Sequence, residues 1–304
     1  MSAMPVEPTK TAGVDDRGTG AEEYHFTSDR GAKIRMYIGL ALIVLWGLAP
    51  FYWMIVTAFR DVGYTFDTTP WPTHVTLDNF RAAFDTSKNH FGRALLNSLI
   101  IGVVTTAVSM LVGVFASYAL ARLNFPGKYL VLGLILGASM FPGVALVAPL
   151  FQLFSDIGWL QGANYQALII PSISFCLPLT IYTLTAFLSE MPWELEESAR
   201  MDGCTPGEAF RKIMLPLAAP GLFTTAILAF IAAWNEYLLS SQFATNVTQP
   251  VTVAIANFAG SVPHQEPYTT VMAAGTIVTV PLIIMVLVFQ RAIVSGLTAG
   301  GVKG

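Results

Sequence analysis

Charge and cysteine are what this sequence has least of. Lys, Arg, Asp and Glu make up 12% of its 304 residues, where a soluble globule carries roughly 25%. With 54% of the residues hydrophobic, a water-soluble fold is excluded. The two cysteines, Cys176 in an apolar run and Cys204 in a polar loop, give no disulfide framework. His25, His74, His90 and His264 are scattered and, with Cys204, make no metal-ligand spacing, so no metal site is expected. A net charge of −3 without a basic cluster argues against a nucleic-acid partner. No G-x-x-x-x-G-K-[ST] phosphate loop occurs, so the chain does not cradle nucleotide in that way, and no H-E-x-x-H or nucleophile–base pair marks a membrane enzyme. A secondary transporter would place an ion-coupling carboxylate near the bilayer midplane, and no span offers one.

What the sequence has in quantity is long apolar runs. Six of them, at about 36–59, 94–121, 129–154, 166–188, 217–239 and 271–290, suit helices crossing a hydrocarbon core about 30 Å thick. Only helices and closed barrels satisfy their own backbone in lipid. The expected fold is therefore all-α, a polytopic membrane protein with six transmembrane helices in contact with lipid. The first run follows a polar stretch and lacks a small-residue cleavage site, so it reads as a retained span. Residues 1–33 read as a disordered cytoplasmic tail and residues 34–304 as the membrane domain.

Lys and Arg keep short loops in the cytoplasm. Arg30, Lys33 and Arg35 precede span one; Arg122 and Lys128 lie between spans two and three; Arg200, Arg211 and Lys212 lie between four and five; Arg291 and Lys303 follow span six. Connections 155–165 and 240–270 hold no Lys or Arg. Segment 60–93 dissents with Arg60, Arg81, Lys88 and Arg93, but parity with the other loops places it outside. Both termini are then expected in the cytoplasm, in the plasma membrane of a bacterium.

The polar interruption 190–216 carries consistent local signals. Pro192 suits a first helical position, Glu194, Glu196 and Glu197 suit the positive end of a helix dipole, and Gly203 can take the left-handed conformation that ends a helix. A helix of three turns is expected there. Thr205, Pro206 and Glu208 form a capping box with Pro at the first position, and Arg211 and Lys212 complement the far end of a two-turn helix. Two capped helices about a glycine, too polar for lipid, suit either docking on another protein or a solvated connector.

The spacing within this loop is more specific. Glu197-Ser198-Ala199, three residues, Gly203, nine residues, Ile213, one residue, Leu215-Pro216 resembles the EAA loop of ABC importer permeases, EAA-x3-G-x9-I-x-LP, with Ser198 for the first alanine as the only departure. The Thr76–Phe80 segment, Ala233-Trp234-Asn235-Glu236-Tyr237 and the ending Gly296–Gly304 resemble the MalG type of maltose permease. Within that type, Phe210–Leu222 and Ala254–Gly260 look most like the SugB-type permeases of mycobacterial trehalose importers. The resemblance runs from about residue 34 onward.

The resemblance implies a type I importer fold and a transport role without enzymatic activity. It implies a second, MalF-like permease, a dimer of ATPase subunits that holds ATP and Mg, an extracytoplasmic sugar-binding lipoprotein, and import of a sugar such as trehalose by alternating access. Glu197, Ser198, Ala199, Asp202, Gly203, Ile213, Leu215 and Pro216 would then couple to the ATPase. Leu297, Thr298, Gly300, Gly301 and Lys303 would reach between its subunits, if they are not a frayed end. Asn257, Phe258, Gly260, His264 and Gln265 would meet the binding protein, ordinary lid-like packing being the alternative. Asn97, Asn235 and Glu236 are candidates for the translocation path. Trp234 and Tyr237 beside Glu236 read equally as an aromatic belt at the outer interface. Gly133 and Gly137 suit a close helix contact, and Pro142, Pro149, Pro171 and Pro178 suit kinks around a cavity.

Overall fold

The computed structural model describes residues 30–86, 89–258 and 267–299, with side chains as far as Gln290. It is built of helices and turns; among the described residues the only extended pairing is an isolated bridge between Arg60 and Val75. Two compact units divide the chain, Met1–Pro50 and Phe51–Gly304. The described part of the first is the start of helix α1, Arg30–Ala58, so residues 30–33, expected in the tail, are helical. Its apolar side chains are exposed, Trp46 at 86%, which suits hydrocarbon and not water.

The second unit holds the end of α1 and then, in chain order, α2 Asp78–Ala83, α3 Phe91–Arg122, α4 Lys128–Ser139, α5 Gly143–Asp156 and α6 Gln166–Glu190. After these come α7 Glu194–Met201, α8 Pro206–Ala209, a π-turn Phe210–Met214 and α9 Leu215–Leu217. α10 Ala219–Trp234, α11 Ser240–Phe243, α12 Val251–Ala256 and α13 Tyr268–Ala299 complete it. Helices α1, α3, α6 and α13 as far as Gln290 are each long and apolar enough to cross a membrane.

The other two expected spans differ from their sequence reading. Span 129–154 is broken, with α4 and α5 meeting at 86°. Proline disfavours helical geometry in the residue before it, and Pro142 itself is extended (ψ 117°) as it caps α5. Helices α5 and α6 continue through Pro149, Pro171 and Pro178. Span 217–239 is shortened to the 16 residues of α10, about 24 Å at 1.5 Å per residue. α10 lies at 73° to the segment Pro206–Leu217 that leads into it.

Helices α3, α6 and α10 pack together through glycines, as membrane helices do where backbones must approach. A Cβ on Gly113 of α3 would lie 2.5 Å from Thr180 Cγ2 of α6, and one on Gly221 of α10 would lie 2.6 Å from the Phe187 ring of α6. A Cβ on Gly102 of α3 would lie 2.9 Å from Phe230 of α10. A Cβ on Gly133 or Gly137 would have nothing within 4 Å among the described residues, so the contact expected at that pair is not made by them.

Segment 60–86 is tied to the end of α1. Arg60 is fully buried, donates to the carbonyls of Asp67 and Thr69, and sits 4.8 Å over the Trp53 ring. Asn79 in α2 donates to the carbonyls of Ala58 at 2.9 Å and Arg60 at 2.6 Å. Arg60, one of the four charges that dissented in the loop count, is thus a structural brace and not a solvated cation.

Candidate functional site: the loop between α6 and α10

Met191 leaves α6 in extended geometry, as a residue before proline does. The first backbone bonds of α7 run from the amides of Glu196 and Glu197 to the carbonyl of Trp193, at 3.0 and 3.2 Å. The Trp193 indole N–H donates to Glu197 Oε1 at 2.9 Å. α7 therefore starts at Glu194, past Pro192, and its eight residues make about two turns, shorter than the three expected. Its other end follows the sequence reading. Gly203 has φ +90°, its N–H donates to the Arg200 carbonyl at 3.0 Å, and the Cys204 N–H donates to the Ala199 carbonyl at 3.0 Å. These two bonds close a helix on a left-handed glycine.

The capping box is formed as expected. The Thr205 N–H donates to Glu208 Oε2 at 3.0 Å and the Glu208 N–H donates to Thr205 Oγ1 at 3.3 Å. Lys212 Nζ lies 2.9 Å from Glu208 Oε1. The Thr205 backbone N–H first, and then Lys212, hold the Glu208 carboxyl down at about 2; the same bond raises Lys212. The second helix outlasts its expected two turns, because a π-turn carries it to α9. Pro216 has no N–H for the Lys212 carbonyl, and the Leu215 N–H reaches back to Phe210 instead.

Burial separates the loop into two faces. Glu194, Glu197, Ser198 and Met201 share one side of α7 and are exposed, Met201 at 88%. Asp202, Gly203 and Pro216 are also exposed, while Ile213 and Leu215 are half-buried. Ala199 is 6% exposed, so its small side chain admits close packing on this chain and not on a partner. Glu196, 1% exposed, was read from the sequence only as a charge at the start of the helix and not as a site residue. The Tyr118 hydroxyl of α3 donates to its Oε1 at 2.9 Å, and Arg200 Nη2 donates to the same oxygen at 2.8 Å. Beside it Arg122 Nη2 donates to the Met191 carbonyl at 2.9 Å, and the guanidinium lies 5.3 Å from the centre of the Trp193 ring. The Phe210 ring stands 4.6 Å from that of Tyr118.

The path candidates lie at the opposite end of α3 and α10. Helix α10 stops at Trp234, so Glu236 is not within a helix. Its carboxylate accepts the Leu239 N–H at 2.7 Å, the Ser240 N–H at 2.9 Å and the Ser240 hydroxyl at 2.5 Å. It also lines a cavity of about 300 Å³ with Phe141, Ser172, Phe175 and Cys176. Trp234 is 3% exposed and stacks at 5.5 Å on Phe230; burial removes it from the aromatic belt, whereas Tyr237 is exposed. Asn235 is exposed and donates to the Ile231 carbonyl at 2.9 Å. Asn97 is buried, with its side-chain nitrogen donating to the carbonyls of Val247 and Gln249, each at 2.9 Å, and its oxygen accepting from Tyr165 at 2.7 Å. Its nitrogen thus holds the chain beyond α11 and its oxygen holds Tyr165 at the start of α6.

Of the residues expected to meet a binding protein, Asn257 is exposed but Phe258 is buried, edge-on to Phe91 at 5.6 Å. Core packing takes the place of an exposed tip there. Gly260, His264 and Gln265 lie outside the described residues. Leu297 and Thr298 belong to α13, of which only the backbone is described at that point, and Gly300, Gly301 and Lys303 lie outside.

Residues 109–299, which include this loop, match the family described as binding-protein-dependent transport system inner membrane component. The chain belongs to that family. This permease is 47% identical over 264 residues to the trehalose transport system permease protein SugB of Mycobacterium tuberculosis, covering 86% of its own length and 95% of that protein. It is 40% identical over 274 residues, 90% and 97% of the two chains, to the trehalose/maltose transport system permease protein MalG of Thermococcus litoralis.

Two solved structures share the fold of this permease. One is a bacterial ABC transporter involved in the import of the acidic polysaccharide alginate, with TM-score 0.69 at 22% identity over 88% of this chain and 98% of that one. The other is a bacterial alginate ABC transporter in complex with an alginate pentasaccharide-bound periplasmic protein, with TM-score 0.62 at 17% identity over 86% and 94%. The MalG-type resemblance and the all-α, type I importer fold are thereby established. This permease is a multi-pass membrane transport component and not an enzyme.

Proposed function

We propose that this permease imports a sugar, with both termini in the cytoplasm and the loop from Glu190 to Pro216 seated on a separate ATPase. The observation that carries this reading is the exposed face of α7, with Glu197, Ser198 and Met201 presented beside Asp202 and Gly203. That face is held rigid by a left-handed glycine closure and a capping box and lies on a loop with EAA spacing. Met201 offers an apolar knob and the carboxylates offer charged contacts. Closure of an ATPase dimer on ATP and Mg would draw this loop and its counterpart on a second, MalF-like permease together. The attached helices would then rock to open the cavity outward, which is alternating access by rigid bodies.

An extracytoplasmic sugar-binding lipoprotein would deliver the cargo on the other side. Support for that partner comes from the solved relative captured with a periplasmic protein. Support for trehalose comes from two relatives whose names carry it, at 47% and 40% identity. Glu236 and Ser172, at the cavity of about 300 Å³, are the polar groups through which this chain would meet a sugar on its path.

The reading is tested with the assembled importer in proteoliposomes, measuring ATP hydrolysis with its binding protein and a panel of sugars. Trehalose is expected to stimulate hydrolysis above maltose, diacetylchitobiose and glycerol-linked sugars. Stimulation by another member alone would replace the cargo, and stimulation by none would remove the sugar reading.

A further inference from the structure

The loop is jointed to its neighbours along the chain. Met191 to Trp193 separate α6 from α7 without helical continuity. A turn at Asp202 and Gly203 separates α7 from α8, and a 73° bend separates the second loop helix from α10. A displacement of α7 therefore passes poorly along the backbone to either flanking helix.

The side chains grip a different element. Tyr118 and Arg122, one turn apart at the end of α3, hold Glu196 and Met191, and Phe210 of the second loop helix packs on Tyr118. α3 continues unbroken for 32 residues. At its other end Asn97 and Ser98 hold the carbonyls of Val247 and Gln249 and the N–H of Val251, the last at 2.8 Å. Tyr118 and Asn97 are 21 positions apart on one helix, or about 31 Å.

We infer that α3 is the rod that carries movement of the ATPase-facing loop to the connection beyond α10, with the Tyr118–Glu196–Arg200 cluster as its grip on α7. The inference rests on the reading of the loop as the ATPase contact. Glu196 suits this work because it is buried, and its second oxygen, Oε2, is also buried and accepts no hydrogen bond among the described residues. Tyr118 and Arg200 are the only side chains bonded to the carboxylate among the described residues. Burying a charge is costly unless it is paired, so the carboxylate stays with its two donors and α7 stays with α3. Tyr118 and Glu196 are positioning residues: they act through the helices α3 and α7 that they join.

The test is the amount of sugar imported per ATP hydrolysed by the assembled importer in proteoliposomes, with subunit stoichiometry measured alongside. Tyr118→Phe keeps the ring against Phe210 and deletes the bond to Glu196. It is expected to leave the complex assembled and hydrolysing ATP while import per ATP falls roughly 2- to 30-fold, the range over which single residues shift coupling between sites. Glu196→Gln added to Tyr118→Phe is expected to lose less than the sum of the two single losses, because the variants share the Tyr118–Glu196 bond while Glu196→Gln also weakens the Arg200 pair.

Should Tyr118→Phe fail to assemble, Arg200→Gln, at the half-exposed side of the cluster, is expected to give the same fall in an assembled complex. Unchanged import per ATP in an assembled variant overturns the inference, as do additive losses. Failure of both variants to assemble also overturns it, since the cluster would then serve stability alone. Gly203→Val distinguishes the two levels. If it uncouples while Tyr118→Phe does not, the rod fails and the loop reading stands; if Gly203→Val also leaves import intact, the loop reading itself fails.

Discussion

Glu236 accepts the backbone N–H of Ser240 at 2.9 Å and its hydroxyl at 2.5 Å, so the carboxylate just past the end of α10 serves as a cap on the turn that follows the helix. Glu236→Ala is expected to destabilise the protein by about 0.5–2 kcal/mol, the usual cost of a lost cap. Glu236→Gln, which keeps an acceptor, should cost less. Thermal unfolding in detergent checks the order, and an Ala variant as stable as the parent contradicts it.

Glu208 brings a pH dependence to the loop. Its carboxyl is held at about 2 against an ordinary value of 4.5, first by the Thr205 N–H and then by Lys212. The folded form therefore favours the ionised acid. Its contribution is complete above about pH 4.5 and is lost as pH falls toward 2. Hydrogen-exchange protection of residues 207–212 should be steady from neutral pH down to that window and fall within it. In Glu208→Gln protection should be lower and independent of pH in this range; a parallel fall in the variant would assign the dependence to another group.

Close packing in the membrane unit distinguishes glycines that look alike in the sequence. A methyl on Gly113 meets Thr180 Cγ2 at 2.5 Å, whereas one on Gly133 or Gly137 meets nothing within 4 Å among the described residues. Gly113→Ala is expected to cost about 1–3 kcal/mol through overpacking. In the isolated chain Gly133→Ala should be neutral or slightly stabilising, since alanine suits a helix better. Unfolding midpoints that fall equally in the two variants would contradict this packing.

The parts of this protein governed by neighbours in sequence were legible in it. The long apolar runs gave α1, α3, α6 and α13, and Gly203, Thr205 and Glu208 gave the left-handed closure and the capping box, because those are contacts over three to five residues. What depended on distant residues was not legible. No local pattern distinguishes buried Glu196 from exposed Glu197; the difference is made by Tyr118, 78 positions away. Asn97 looked free for a substrate because its partners lie 150 and 152 residues on. The break after Trp234 was hidden by an apolar run that continues through Leu238 and Leu239, and Pro142 signalled a kink without its size.

The most direct test of the central claim is the Gly203→Val variant of the assembled importer. At Gly203 φ is +90° and a Cβ would meet nothing within 4 Å, so the change strains the backbone at the end of α7 without a clash. Side-by-side measurement of ATP hydrolysis and sugar uptake in proteoliposomes is expected to show hydrolysis retained and uptake lost. Uptake equal to that of the parent, with the variant inserted and assembled, would contradict the assignment of this loop to the ATPase.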